Sequence, residues 1–188
     1  MALLKELNLL YNMTTPKQKI LFSKEECDLI LKKYELKPID GNQIRKSSIS
    51  YTYKNMNDVE DKWILDRFIL WINEEFNISI DWENTDSKEF YLQTYVKGDK
   101  FNRHNDSIHN RLYGLGLLLN DDFEGGEFII ENITNNTEIF NFQKIIGNCY
   151  FFESIFEHEL YEIKEGIRNI ILVFFRKSQI KNGKLKII

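Results

Sequence analysis

Proline is scarce. There are 2 in 188 residues, which argues against a linker-rich or disordered chain. Cysteine is as rare: Cys27 and Cys149 lie far apart, in a helix-like and a strand-like segment. They read as two reduced packing thiols in a reducing compartment. No run of about 18 apolar residues occurs, so no transmembrane helix and no membrane association are expected. The N-terminal stretch MALLKELNLLYNMTTPKQK has a short apolar segment broken by Lys5 and Glu6, and lacks a small-residue cleavage site. No signal peptide is read there, and a cytoplasmic protein is expected. An excess of positive charge is also missing: the net charge of −4 gives no support for a nucleic-acid partner.

What is present suits one domain spanning residues 1–188. The 43% apolar and 14% aromatic shares are enough for a sizeable core. Leu3, Leu4, Leu7 and Leu10 can line one face of a short helix before Pro16. Ser23 can cap a clearer helix with Glu25 and Glu26 in its first turn. Cys27, Ile30, Leu31 and Tyr34 follow at helical spacing, and Pro38 and Gly41 close the unit. Residues 43–53 read as a strand. Residues 55–77 read as a long helix with Trp63, Phe68, Trp71, Ile72 and Phe76 as its core-facing stripe.

From residue 88 the pattern changes to short strands, near 89–97, 101–106, 111–119, 126–131, 137–142, 148–153, 157–163 and 168–177. Gly and Asn/Asp punctuation separates them. Helices followed by closely spaced strands indicate an α+β chain, with helical support over about 1–87 and a strand core over about 88–177. About eight short strands fit a double-sheet jelly roll, the double-stranded β-helix, which removes most exposed edges.

Histidine is rare too, at 3 residues, and two of them fall at telling positions. His104-Asn105-Asp106 places a His and an Asp at i and i+2, on one face of a strand. His158 lies in the apolar-rich segment GNCYFFESIFEHEL. Two imidazoles and one carboxylate can occupy one face of an octahedral Fe(II) and leave three positions open. The third, His109, is assigned no role. Arg168 opens the apolar strand RNIILVFF ten residues after His158, and a buried guanidinium there needs a carboxylate partner. Glu162 or Glu165 can be that partner, and so can a bound diacid. Gly114 and Gly116 on one strand leave room for a small molecule, or else mark a bend or a close helix contact.

Taken together these residues resemble a known family. Tyr95-x-x-Gly98-x-x-Phe101-x-x-His104-x-Asp106 is similar to the first half of the prolyl 4-hydroxylase-type 2-oxoglutarate/Fe(II) dioxygenase signature. Leu119 to Phe128, LNDDFEGGEF, resembles that family's LN-x-x-x-x-GGE segment. Gly147 to Phe152, His158 and Arg168 resemble its last motif, and FSKEECDLILKKY resembles the helix that opens many such domains. The likeness runs from about residue 22 to 177.

The resemblance implies His104, Asp106 and His158 as iron ligands, with Arg168 on the distal carboxylate of 2-oxoglutarate and Tyr95 as a second cofactor contact. Leu118 stands at a cofactor position where some relatives have a Tyr, so one hydroxyl contact is missing. Phe128, Leu160 and Phe174 are implied pocket walls. Arg111 orients substrate or braces the metal strand. The implied reaction couples oxidative decarboxylation of 2-oxoglutarate by O2 to hydroxylation of a C–H bond, with ascorbate as an auxiliary reductant.

A peptide or protein substrate is expected, prolyl before lysyl, since lysyl hydroxylases share the His-to-Arg spacing. A free amino acid or other small molecule is the alternative substrate, and a non-catalytic jelly roll for binding or assembly is the alternative of another class. Alkylated-base repair dioxygenases carry a closing Arg-x5-Arg pair. Here the arginines after His158 are Arg168 and Arg176, at a different spacing, and the acidic balance disfavours DNA.

Overall fold

The computed structural model describes residues 16–34, 51–55, 59–84, 88–131 and 139–183. In chain order the elements are β1 Lys17–Ile20, α1 Lys24–Lys33, β2 Tyr51–Asn55, α2 Lys62–Phe76, β3 Ile78–Ile80, β4 Glu89–Val96, β5 Phe101–His104 and β6 Arg111–Leu118. They continue with β7 Glu124–Gly125, β8 Phe128–Glu131, β9 Ile139–Asn141, β10 Asn148–Glu153, β11 Glu157–Leu160, β12 Ile163–Glu165, β13 Ile167–Arg176 and β14 Ile180–Gly183. Among the described residues, no helix is long and apolar enough to cross a membrane.

Two antiparallel sheets carry the architecture. The larger has six strands in the order β1-β10-β6-β13-β4-β2, and the smaller has four, β5-β11-β8-β9. This arrangement is consistent with the expected jelly roll. Alternation along β13 separates two cores. Ile171, Val173 and Phe175 point to one side, where Cys27 and Ile30 of α1 and Phe68, Trp71 and Ile72 of α2 cover the large sheet. Ile170 points to the other, into a second cluster with Tyr95, Ile130, Tyr150, Phe152 and Leu160. Burying a Phe as fully as Phe68 or Phe151 is favourable by about 1.5–3 kcal/mol each.

The helix ends follow local chemistry. The Ser23 hydroxyl accepts from the Glu26 N–H at 3.2 Å, and the Ser23 N–H donates to the Glu26 carboxylate at 2.9 Å. This reciprocal cap satisfies two otherwise orphaned donors. The same Glu26 carboxylate receives both terminal nitrogens of Arg67 at 2.7 and 2.8 Å, which ties α1 to α2. Residue Asn77 stops α2 in the left-handed region at φ 55°. Gly147, at φ +79°, passes so close to Phe22 that a Cβ would overlap the Phe22 carbonyl oxygen. Its own carbonyl accepts from Leu21 N–H at 3.0 Å, while its N–H donates to Leu118 O at 2.8 Å.

Several expectations shift. The long helix begins at Lys62 rather than residue 55, after a 3-10 turn over Val59–Asp61. Asp61 is buried there because Lys33 at the end of α1 pairs with it at 2.8 Å and Tyr34 hydrogen-bonds it. Trp63 is 40% exposed and is not part of the buried stripe; Ile64 and Leu65 take its place. It packs instead against Phe22, with ring centroids 5.8 Å apart. Strand β1 was not expected, and neither were the short β3, β7, β12 and β14. Of the expected strand 43–53, residues 51–53 fall within β2; residues 43–50 lie outside the described residues, as does the expected helix before Pro16. Both cysteines are buried free thiols, as expected.

Candidate active site

The candidate metal-binding group is assembled at the junction of three chain segments. His104 is the last residue of β5, and its direct partner across the antiparallel ladder is His158 of β11. Asp106 lies past the end of β5, not within the strand as expected. It is held in place because its N–H donates to Ser154 O at 2.8 Å, a residue of the β10–β11 connection. The His158 Nε2 is 3.2 Å from Asp106 Oδ2, and the His104 Nε2 is 3.6 Å from Asp106 Oδ1. The three donor atoms lie within 4.8 Å of one another.

Both imidazoles are oriented by the same local device. His104 Nδ1 lies 2.8 Å from Asn102 O, and His158 Nδ1 lies 3.1 Å from Phe156 O. A carbonyl can only accept, so each Nδ1 carries the proton and each Nε2 presents its lone pair toward Asp106. Burial lowers the His104 pKa, helped by the neighbouring His158, which favours the neutral imidazole that ligates metals. For Asp106 burial raises the pKa, but the neighbouring His158 and His104 rings and the Arg111 guanidinium outweigh it and hold the carboxyl below its ordinary value. Two imidazole nitrogens and an ionised carboxylate facing one another are a donor set that fits Fe(II).

Arg168 is the second feature. It is 4% exposed, yet among the described residues no carboxylate forms an ion pair with it. Glu165 is taken by Lys97 at 2.8 Å. The Arg168 guanidinium lies 5.5 Å from the centroid of the Tyr95 ring, its direct cross-strand partner on β4. The Tyr95 hydroxyl donates to Gln93 Oε1 at 2.8 Å.

One cavity of about 460 Å3 joins these groups. Its lining includes His104, Asp106, His158, Arg168 and Tyr95, together with Arg111, Phe128, Leu160 and Phe174. Leu118 is the exception among the expected site residues. It lines a smaller neighbouring cavity of about 130 Å3, which also touches Arg168 and Tyr150. Arg111 is clamped: its Nε donates to Glu89 at 2.9 Å, its NH1 lies 3.6 Å from Asp106, and its guanidinium carbon is 3.9 Å from the Phe174 ring centroid. The space over Gly114 and Gly116 is filled by aromatic rings. A Cβ on Gly114 would sit 2.8 Å from the Phe152 ring, and one on Gly116 would overlap the ring and hydroxyl of Tyr150. The close contact at both glycines is therefore with side chains of the neighbouring strand β10, not with a helix as expected.

Sequence reading missed Tyr91, Gln93, Tyr150 and Phe152 as cavity residues. Gln93 was reachable from strand alternation, since it lies two residues before Tyr95. Tyr150 was not, because its place depends on the glycine of the adjacent strand.

No family model matches the sequence, and no curated protein matches it. Solved structures do match. A prolyl-4-hydroxylase from Pseudomonas putida superposes with a TM-score of 0.64 at 16% identity, over 93% of this chain and 97% of that one. An oxidoreductase of the 2OG-Fe(II) oxygenase family from Burkholderia pseudomallei gives a TM-score of 0.65 at 15% identity, over 96% and 90%. A prolyl hydroxylase from Trichoplax adhaerens, in complex with a hypoxia inducible factor oxygen degradation domain peptide fragment, gives 0.66 at 15% identity, over 94% and 93%. The fold is that of the 2-oxoglutarate/Fe(II) oxygenases. At these identities the likeness establishes fold. Within this oxygenase fold, the convergence of His104, Asp106 and His158 is a property of this chain's own residues.

Proposed function

We propose that the chain, as one catalytic domain over residues 1–188, is an Fe(II)/2-oxoglutarate-dependent hydroxylase. One observation carries the reading: a cavity lined by a His-Asp-His donor set also contains a buried guanidinium with no acidic partner among the described residues. A buried lone cation is costly unless an anion completes it. A keto diacid answers both features, with a chelating end for a metal and a carboxylate for Arg168. Fe(II), with 2-oxoglutarate and O2, supplies the oxidising chemistry, which yields succinate, carbon dioxide and a hydroxylated C–H bond.

The protein's part is positioning. His104 and His158 present Nε2, and Asp106 presents an ionised carboxylate. Arg168 pairs with the distal carboxylate in a charge-assisted geometry. Phe128, Phe152, Leu160 and Ile170 wall the cavity and exclude water. Arg111, locked to Glu89, steadies Asp106 from behind. The preferred substrate is a peptidyl residue, prolyl before lysyl. The superposition with a prolyl hydroxylase holding a peptide supports that preference, and the buried free thiols support a reducing cytoplasmic setting.

The test is succinate release from 2-oxoglutarate by purified protein with Fe(II) and ascorbate, followed by mass spectrometry of peptide libraries for +16 Da products. Succinate formation that disappears in His104→Ala is the expected result. Absence of metal binding and of 2-oxoglutarate turnover in the wild type overturns the reading.

A further inference from the structure

The site lacks a hydroxyl at Leu118, and the structure places one elsewhere. Tyr150 is buried, on β10, with Gly116 of β6 as its direct cross-strand partner. Because Gly116 has no Cβ, the Tyr150 ring lies flat across β6, and a methyl group on Gly116 would occupy the position of the ring and its hydroxyl. Phe128 stacks on the ring at 4.8 Å between centroids, and Phe142 packs at 4.4 Å. The ring therefore has one orientation open to it, which carries the hydroxyl toward β13. Tyr150 and Arg168 together line both the larger cavity and the smaller one beside Leu118, and the charge of Arg168 acts on the phenol. Burial is the largest influence on the phenol and raises its pKa to about 12, in spite of Arg168. The group is a neutral O–H at any ordinary pH and can donate to an anion held by the guanidinium.

We infer that Tyr150, admitted by Gly116, donates the hydrogen bond to the distal carboxylate of 2-oxoglutarate that Leu118 cannot, so that Arg168 and Tyr150 bind this carboxylate as a pair. The inference rests on the 2-oxoglutarate reading of the cavity. It adds a binding residue from a different strand and gives a reason for glycine at position 116. Tyr150→Phe keeps the ring and its stacking on Phe128 and Phe142 and deletes only the donor.

The test is calorimetric titration of the Mn(II)-loaded full chain with 2-oxoglutarate and with pyruvate, which shares the keto acid end and lacks the distal carboxylate. A hydrogen bond to a charged group predicts a loss of about 10–100-fold in 2-oxoglutarate affinity for Tyr150→Phe, with Mn(II) affinity and pyruvate affinity unchanged. Gly116→Ala, which evicts the ring, should weaken 2-oxoglutarate in the same direction. Wild-type 2-oxoglutarate affinity in Tyr150→Phe, alongside a large loss in Arg168→Ala, overturns the Tyr150 assignment and leaves the cofactor reading standing. Failure of the wild type to bind 2-oxoglutarate at all overturns both.

Discussion

His104 and His158 sit directly opposite one another in the antiparallel ladder of β5 and β11, with ring centroids 4.3 Å apart. Each ring is turned by the backbone carbonyl two residues earlier, Asn102 O for His104 and Phe156 O for His158. The metal-facing geometry is thus built from backbone, and the two ligands are placed by sheet register alone. A one-residue slip would send one imidazole to the outer face, where Arg103 now bridges Glu131 and Glu157.

Removing either imidazole should abolish specific metal binding. His104→Ala and His158→Ala are each expected to lower Mn(II) affinity by more than the roughly 10–100-fold that loss of an outer partner costs. Calorimetric metal titration checks this, with circular dichroism to confirm an unchanged strand content. Retention of wild-type affinity in both variants would remove the assignment of these ligands.

Arg168 is expected to be a liability in the empty protein and an asset in the loaded one. Arg168→Met should raise the melting temperature of the metal-loaded, cosubstrate-free chain, since a buried charge with no carboxylate partner among the described residues is replaced by an apolar chain of similar length. Wild-type protein at 2-oxoglutarate concentrations 100 times Kd gains about 2.7 kcal/mol, and the variant should lose that gain. Thermal melts with Mn(II), with and without 2-oxoglutarate, measure both effects. An equal ligand-induced shift in both proteins would contradict the role given to Arg168.

Glu89 should make stability fall in acid. Burial raises its pKa, but hydrogen bonds and charge from Arg111, with Arg176 beside it, more than reverse this and leave it lowered. A carboxyl depressed in the folded state contributes fully above its unfolded pKa, about 4.3. That contribution is lost as pH falls through the folded value. Urea unfolding between pH 7 and pH 3 should show the decline, and Glu89→Gln should flatten it. The same substitution strands two arginines, at a cost of about 3 kcal/mol at neutral pH.

Gly147→Ala should destabilise the chain without touching the site. Its left-handed backbone alone costs a side-chain-bearing residue about 1–2 kcal/mol, and the overlap with Phe22 O adds to that. A chemical denaturation midpoint below wild type with unchanged Mn(II) affinity is the expected result. An unchanged midpoint would contradict the close contact.

The element pattern was legible where local signals were strong. The strands β4, β6, β10 and β13 fall within one residue of their expected ends, because alternation and Gly or Asn punctuation are properties of neighbouring residues. The short β3, β7, β12 and β14 were not legible. Strands of two to four residues exist only because a distant segment pairs with them. Trp63 shows the same limit, since helical spacing does not say which apolar edge faces the sheet.

By itself the sequence determined the chemistry available: two rare histidines, one well-spaced carboxylate, and an arginine at the mouth of an apolar strand. Residue type and spacing along the chain carry that information. Only the tertiary structure decided that Arg168 has no acidic partner among the described residues, that Asp106 reaches the histidines from beyond its strand through Ser154, and that Tyr150 lies over Gly116. Each of these depends on which strands become neighbours and in what register, a choice made by burial of the whole core rather than by any one segment.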